Sequence, residues 1–296
     1  MLNDLKVTVS SLKSVLSDPG KNLSLIGEAC SVAEDAGARM LFLPELMLTG
    51  HGGHAKMTQN AESIPDGPLS SAIVELSERH SLCICVGLAE LKNSVVYNSQ
   101  MVADCGAYLG LQRKINLSGD EYCHFGAGDS VEVFDIGDIR FGITICYDNH
   151  FPELALIHSL NHVDLVLAPH AARTGTWPSE LTAEFCGRRI KAQQDGWEKV
   201  HRARAYDHNV YVLLCNAVGP STDGLEGVVA NHAGSVMGVA PDGEVFLRTA
   251  KTDFTDEIVT VDLLAHKRTV NHGPSRNRRL DTVTRLLQQA AGATRR

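Results

Sequence analysis

Three side chains with different chemistry each follow a short apolar run of the chain: Glu45, Lys114 and Cys146. Each run is typical of a buried strand, and open α/β folds bind ligands beyond the carboxyl ends of their strands. A carboxylate, an ammonium and a thiol at one such edge would provide a base, an oxyanion stabiliser and a nucleophile. Acyl transfer requires this set of groups, so the first hypothesis is a thiol-dependent acyl-transfer site.

Cys146 needs activation to act as a nucleophile. A free thiol has a pKa of about 8.5, so a base or a positive field must favour its thiolate at neutral pH. Phe151-Pro152 predicts that a helix begins shortly after Cys146, and the positive end of that helix would favour the thiolate. The backbone N–H of Tyr147 would be available to a developing oxyanion. The alternative is that Cys146 is a small buried apolar side chain.

Glu45 and Lys114 also have structural alternatives. Partial burial at a strand end would raise the pKa of Glu45 towards the range of a general base, whereas an exposed loop glutamate would take no part in catalysis. Lys114 would stabilise an oxyanion, or it would be an ordinary solvated surface charge. Because three unlike groups occur at three predicted strand ends, the sequence favours the catalytic interpretation.

The rest of the sequence alternates strand and helix patterns, which predicts one α/β domain. Apolar or alternating runs predict strands at 40–43, 83–88, 95–102, 107–111, 141–145, 163–168, 210–214, 235–239, 244–247 and 258–261. Helical spacing predicts helices at 23–33, 68–76 and 154–160, and a largely helical segment at 180–208. The runs 38–44 and 163–169 each follow a helix and stop at a proline, which indicates a twofold internal arrangement.

The C-terminal segment differs from the rest of the chain. Residues 1–265 are predicted to form the single domain. From residue 266 to residue 296 the sequence becomes basic and has few long apolar runs. We expect this segment to be an extended tail that packs on the domain or on a partner subunit.

Composition excludes several classes of protein. The 296 residues include 27 Lys and Arg against 35 Asp and Glu, a formal net charge of −8, which argues against a general nucleic-acid-binding protein. No apolar run approaches the ~18 residues that cross a bilayer, and no signal-peptide pattern is visible at the N-terminus. The eight cysteines have no regular spacing, which predicts free thiols in a reducing, cytoplasmic compartment.

Two other clusters were considered as metal sites. Cys83 and Cys85 lie in an apolar run without a second Cys or His pair at a suitable spacing, so packing in the core is the favoured interpretation. His51 and His54 flank two glycines after Glu45, and we interpret that segment as a flexible loop over the pocket rather than a metal site.

Several ordered motifs resemble those of the nitrilase superfamily of carbon–nitrogen hydrolases, over nearly the whole chain. The motifs that carry the resemblance are Leu43-Pro44-Glu45 with Leu48-Thr49-Gly50, Tyr97-Asn98-Ser99 with Arg113-Lys114 and Leu117, and Cys146-Tyr147-Asp148 with Phe151-Pro152-Glu153. Further similar positions are Arg204-Ala205, Asn216, Gly219, Gly234-Ser235 and Pro241-Asp242-Gly243-Glu244. The resemblance implies a four-layer αββα sandwich of the nitrilase type, and homodimers or larger homo-oligomers.

The resemblance also implies roles for individual residues. Cys146 would attack the carbonyl carbon, Glu45 would take its proton and later activate water, and Lys114 with the Tyr147 N–H would hold the oxyanion. Glu121, within Ser118-Gly119-Asp120-Glu121, matches a second glutamate that orients the site in many members. Neither a metal nor an organic cofactor is implied.

The substrate is expected to be a small amide or an N-carbamoyl compound, because Tyr147-Asp148 after the cysteine resembles the amidase-type branches more than the true nitrilases. The segment 170–199 would form a wall of the pocket, with His170, Arg173 and Trp177 as candidate contacts to the non-reacting end of the substrate. Three alternatives remain open: a nitrile hydrolase, an acyltransferase or amidotransferase, and a non-catalytic relative used for binding.

Overall fold

The computed structural model describes residues 5–52, 54–175, 182–221, 231–249, 254–266 and 278–293. Its strands are β1 (Lys6–Ser11), β2 (Met40–Phe42), β3 (Cys83–Lys92), β4 (Val95–Asp104), β5 (Ala107–Arg113), β6 (Val133–Ile136), β7 (Ile139–Ile143), β8 (Leu165–His170), β9 (Arg173–Gly175), β10 (Tyr211–Asn216), β11 (Val218–Pro220), β12 (Asn231–Ala233), β13 (Val236–Val239), β14 (Val245–Arg248) and β15 (Glu257–Asp262). Its α-helices are α1 (Pro19–Asp35), α2 (Pro68–Arg79), α3 (Pro152–Leu160), α4 (Ala183–His208) and α5 (Leu280–Ala293).

Two six-stranded sheets form the centre of the fold. Their strand orders are β15-β1-β2-β3-β4-β5 and β14-β13-β10-β8-β7-β6. In the first sheet β1, β2 and β3 are parallel, and in the second sheet β7, β8 and β10 are parallel. The facing sides of the sheets share one buried apolar core, to which Val9 and Phe42 contribute from the first sheet and Phe141, Leu167 and Leu213 from the second.

Helices cover the outer face of each sheet. Ile26 of α1 and Ile73 of α2 pack with Ile84 of the first sheet in a second apolar cluster. Ile190 of α4 packs with Leu214 of the second sheet in a third, and α3 contacts α4. The helix–sheet–sheet–helix order confirms the αββα sandwich that the sequence predicts.

Local sequence signals place the first of these helices. Asp18 caps α1, since its carboxylate accepts the N–H of Lys21 at 3.0 Å, and Pro19 follows at a position where its missing N–H has no consequence. The buried side chains Ile26, Ala29 and Ala33 then recur at helical spacing and face the sheet.

The structure differs from the sequence prediction at three places. The strand predicted to stop at Pro169 continues through it to His170, because β7 pairs with β8 only as far as Leu167 and leaves that side of the proline without a strand partner. Short strands at β1, β6, β9, β11 and β12 were not predicted. The extended conformation predicted for the tail was wrong for Leu280–Ala293, which form α5.

The described helices give no indication of a membrane span. None of them combines the length and the apolar composition that crossing a bilayer requires.

Candidate active site

The three residues predicted to react, Glu45, Lys114 and Cys146, each follow the carboxyl end of a strand. Glu45 lies in the turn after β2, and Cys146 lies three residues after Ile143, the last residue of β7. Lys114 comes directly after β5, which runs in the same direction as β3 because two successive antiparallel pairings separate them. The sheet topology therefore brings the three segments to one edge of the sandwich.

Lys114 forms the centre of the cluster. Its Nζ lies 2.7 Å from Oε1 of Glu45 and 2.7 Å from Oε1 of Glu121. All three side chains are almost completely buried. Asn98 of β4 donates to the same two carboxylate oxygens, at 2.8 Å for Glu45 and 3.2 Å for Glu121. One ammonium and one amide thus hold two buried carboxylates in a fixed relative position.

The charge of Lys114 is stabilised by its neighbours. Burial lowers the pKa of this ammonium, but the negative charges of Glu45 and Glu121 outweigh burial and raise the pKa above its ordinary value. Lys114 is therefore a permanent cation at neutral pH, suited to an anionic oxygen rather than to proton transfer.

Glu45 is held at both oxygens. Its Oε2 accepts the backbone N–H of Ala171 at 2.8 Å, directly after β8. The turn that carries Glu45 approaches β3 so closely that a Cβ on Gly87 would lie 2.2 Å from the Leu46 nitrogen. Only glycine fits there, so β3 and β8 together determine where the Glu45 carboxylate points.

Glu121 occupies the first turn of the 3-10 helix Gly119–Cys123. Its Oε2 accepts the backbone N–H of Ser118 at 2.8 Å and the Ser118 hydroxyl at 2.9 Å. These bonds occupy one carboxylate oxygen and leave the other for Lys114 and Asn98. Glu121 is thereby positioned to orient Lys114.

Cys146 has a backbone conformation that is rare for a side-chain-bearing residue. Its φ is +50°, in the left-handed region that is sparsely populated outside glycine and that clusters at functional sites. It begins the 3-10 helix Cys146–His150, and the Asn149 amide donates to its carbonyl oxygen at 3.0 Å. The half-buried thiol lines the same cavity as Lys114 and Glu121.

The thiol is not pre-ionised. Burial and the charge of Glu45 raise its pKa above the ordinary value, while Lys114 acts in the opposite direction. The helix predicted after Cys146 begins at Pro152, and desolvation outweighs the positive field of Lys114 at the thiol. A thiol in this environment needs a base to accept its proton before the sulfur can act as a nucleophile.

One family model matches most of the chain. The model for carbon–nitrogen hydrolases matches residues 6–268. This chain belongs to the carbon–nitrogen hydrolase family. The predicted resemblance to the nitrilase superfamily is confirmed, and with it the predicted class of enzyme.

Two relatives of this carbon–nitrogen hydrolase match over most of their length. A nitrilase from Pyrococcus abyssi is 26% identical over 262 residues, which are 88% of this chain and 90% of the relative. An omega-amidase from Xenopus laevis is 29% identical over 267 residues, covering 86% and 87% of the two chains. The crystal structure of an amidase from Nesterenkonia sp. superposes with a TM-score of 0.74 at 20% identity, covering 95% and 96% of the chains, which shows the shared fold.

A cavity of about 530 Å³ opens above the cluster of this carbon–nitrogen hydrolase. It is lined by residues from four connecting segments and from β8, β9 and α4, namely His51, Lys114, Ser118, Glu121, Cys146, Tyr147, His150, His170, Ala171, Ala172, Arg173, Thr174, Phe185, Arg189 and Trp197. Its volume is typical of small-molecule sites.

Two of the three predicted substrate contacts lie in this cavity. His170 is buried and its ring centroid lies 5.1 Å from that of Trp197. Arg173 lines the wall, and its guanidinium donates to the Asp120 carboxylate at 3.2 and 3.3 Å. Trp177 lies outside the described residues. A role in substrate binding remains a prediction for all three.

The role of the Tyr147 N–H as an oxyanion donor remains a prediction. Tyr147 is the second residue of its 3-10 helix, where backbone N–H groups have no acceptor within the helix. Its side chain also lines the cavity and is 38% exposed.

Asp148 joins two segments of the site, which the sequence did not indicate. Its Oδ1 accepts the backbone N–H of Asn116 at 2.7 Å, and its Oδ2 accepts the N–H of Ile115 and of Ile145 at 3.3 Å each. It therefore connects the turn after Lys114 to the backbone before Cys146.

His51 lies in the segment after Glu45 and lines the cavity. It is buried, its Nδ1 has no hydrogen-bond partner in the described structure, and burial lowers its pKa to about 3. Donor atoms of Glu45, His51 and Glu121 lie within 4.8 Å of one another, so these residues have the chemistry of a metal site. The Lys114 ammonium already bonds to both carboxylates, so a divalent ion would have to displace it.

Proposed function

We propose that this carbon–nitrogen hydrolase is an amidase that cleaves small linear amides through a thioester on Cys146. The observation that supports this most directly is the placement of the Lys114 ammonium, 2.7 Å from both Glu45 and Glu121, in the wall of the cavity that contains the Cys146 thiol. A base, a fixed cation and a nucleophile are then within reach of one bound carbonyl group.

The first half of the reaction forms the thioester. Glu45 accepts the thiol proton as Sγ attacks the carbonyl carbon, and the resulting oxyanion is bound by Lys114 and the Tyr147 N–H. The tetrahedral intermediate collapses, the carbon–nitrogen bond breaks, and the proton on Glu45 passes to the leaving nitrogen. Ammonia or an amine departs, and the acyl group remains on Cys146.

The second half hydrolyses the thioester. Glu45, again ionised, removes a proton from water as the water oxygen attacks the acyl carbon. The same donors bind the second oxyanion. The carbon–sulfur bond then breaks, the proton on Glu45 returns to sulfur, and a carboxylic acid leaves. Glu121 acts as a positioning residue, because it holds Lys114 without reaching the substrate.

An N-carbamoyl substrate would follow the same course, since its terminal amide carries the same carbonyl and leaving group. A nitrile would give a thioimidate first. Transfer to an amine instead of water would make the protein an acyltransferase, and an inert thiol would make it a non-catalytic binding protein. Tyr147-Asp148 after the cysteine favours the amide over the nitrile.

Ammonia release separates these possibilities. Primary aliphatic amides, N-carbamoyl amino acids and aliphatic nitriles are incubated with the wild type and with Cys146→Ala. We expect the wild type alone to release ammonia from amides, and intact-mass measurement after rapid quenching to show an acyl adduct. Release only from nitriles, or equal release by both proteins, would contradict the proposal.

We propose in addition that the enzyme is a cytoplasmic homo-oligomer whose domain spans 1–265 and whose segment 266–296 contacts a partner subunit. The eight cysteines are all described and all free, which fits a reducing compartment. Leu286 and Leu287 of α5 are more than half exposed, which supports a contact beyond the subunit. Light scattering on the full chain and on a chain ending at 278 tests this. The same number of subunits in both assemblies would contradict the proposal.

A further inference from the structure

Arg189 lies in the wall of the cavity and belongs to α4, whereas the reacting groups lie on loops. Its Nε donates to the backbone carbonyl oxygen of Thr174 at 3.3 Å. One turn further along α4, the Gln193 amide donates to the Arg173 carbonyl oxygen at 2.8 Å. These two bonds fix this face of α4 against β9, so the guanidinium of Arg189 has a defined orientation.

The other lysine and arginine side chains of the cavity wall, and the neighbouring Arg188, already have carboxylate partners. Lys114 bonds to Glu45 and Glu121, Arg173 bonds to Asp120, and Arg188, the neighbour of Arg189, bonds to Glu184.

Within the part of the chain that the structure describes, Arg189 has no carboxylate partner. Its two terminal amino groups form no hydrogen bond there. A guanidinium whose Nε is fixed and whose terminal nitrogens are available presents two donors to one carboxylate. The cavity wall thus has, on α4 rather than on the loop that carries the thiol, a guanidinium that can bind an anion.

We propose that Arg189 binds a carboxylate at the end of the substrate remote from the scissile amide, so that the substrates are linear amides with a terminal carboxylate. This inference rests on the proposed amidase function for its scissile group. The aromatic side chains Phe185 and Trp197 line the cavity as well, which suits a short methylene chain between the two polar ends.

The expected effect is a moderate one. Hydrogen bonds between charged groups are stronger than those between neutral groups, but the Arg189 side chain is exposed, and solvent and salt weaken the interaction. We therefore expect a preference of about tenfold, which corresponds to about 1.4 kcal/mol, and a smaller preference at high salt.

Two ligands of equal chain length provide the test. Glutaramate carries the terminal carboxylate, and pentanamide ends in a methyl group instead. Their dissociation constants are measured by calorimetry on a Cys146→Ala background, which removes turnover. We expect glutaramate to bind about tenfold more tightly and the difference to disappear in Arg189→Gln. Arg189→Lys should restore part of the difference, because lysine has the positive charge but lacks the two terminal nitrogens of the guanidinium.

Arg188→Gln is the matched control. It removes the same charge one residue away, at a side chain that is paired on the outer part of the helix, and we expect it to leave both dissociation constants unchanged. Equal binding of the two ligands, binding of neither, or an equal loss of both in Arg189→Gln would overturn the inference.

The turnover of the same two amides keeps the two proposals apart. If glutaramate binds through Arg189 but the wild type releases no ammonia from either compound, the amidase function fails and the anion site remains. If pentanamide is hydrolysed with at least the kcat/KM of glutaramate, the amidase function remains and the anion site fails. A lower KM for glutaramate at similar kcat would support both.

Discussion

Asp148 binds Asn116 twice, through the backbone N–H at 2.7 Å and through the side-chain amide at 3.0 Å. Asp148 stands two residues after Cys146, and Asn116 stands two residues after Lys114. This pair therefore sets the distance between the segment of the thiol and the segment of the ammonium. Neither side chain needs to contact the substrate to influence the reaction.

Replacing Asp148 by Asn should lower kcat/KM by tenfold or more while the protein stays folded. The carboxamide offers one acceptor oxygen where the carboxylate has two, so buried N–H groups of the two segments lose a partner, at about 1–3 kcal/mol each. Steady-state kinetics on the best amide measures this. Asp135→Asn, at an exposed pair with Arg140, is the control and should leave the kinetics unchanged. Unchanged kinetics in Asp148→Asn would contradict the positioning role.

The pH profile should also report on Asp148. Burial raises the pKa of Asp148 to about 6, so its carboxylate gains a proton below that pH and loses acceptor capacity. We expect wild-type kcat/KM to fall below pH 6, and the part of this fall that belongs to Asp148 to be absent in Asp148→Asn. Identical acid limbs in the two proteins would show that Asp148 does not titrate in the working range.

Removing the central ammonium should destabilise the protein. Lys114→Met leaves Glu45 and Glu121 buried without a cation, and breaking a buried pair in this way costs about 3–5 kcal/mol. Urea unfolding measures the change. Lys191→Met breaks an exposed pair with Asp195 on α4 and should change the free energy of unfolding by less than about 1 kcal/mol. Equal stability of the two variants would refute the structural role of Lys114.

Two glycine substitutions should have opposite effects. In Gly87→Ala the added Cβ would meet the Leu46 nitrogen at 2.2 Å and the Glu45 carbonyl carbon at 2.8 Å, so the turn that carries Glu45 must move and both stability and kcat/KM should fall. In Gly187→Ala the Cβ meets nothing within 4 Å on α4, and helix propensity should stabilise the protein by about 0.5–1 kcal/mol. Thermal unfolding and kinetics on both variants test this, and an active, stable Gly87→Ala would disagree with the close approach.

Stability should decrease as the pH falls from about 6.5 to about 4. Burial lowers the pKa of His51 and His201 to about 3 and that of His158 and His232 to about 4, whereas an unfolded histidine titrates near 6.5.

In that window the unfolded chain binds more protons than the folded chain, so the free energy of unfolding rises with pH by up to about 1.4 kcal/mol per pH unit for each histidine. Urea unfolding at several pH values measures the slope of the free energy of unfolding against pH. His158→Gln should reduce this slope by the contribution of one histidine. A flat profile between pH 4 and pH 6.5 would show that these side chains are not buried as neutral imidazoles.

The sequence alone was sufficient to predict the family, the layer architecture and the residues that the structure brings together at the site. Buried strands appear as apolar runs, and Glu45, Lys114 and Cys146 could be singled out because each follows such a run. Strand ends in parallel sheets meet at one edge, so local patterns already implied the cluster.

Only the tertiary structure revealed the features that depend on contacts between distant segments. The pKa of the Cys146 thiol is decided by burial and by Glu45, about one hundred residues away in the chain, and no local pattern shows either. Arg189 looks like an ordinary charged residue in the sequence, and the motif that contains Asp148 does not show what its carboxylate binds. Asp148 acquires its position from Asn116, and Arg189 from the packing of α4 on β9, because desolvation and hydrogen-bond geometry are properties of the folded chain.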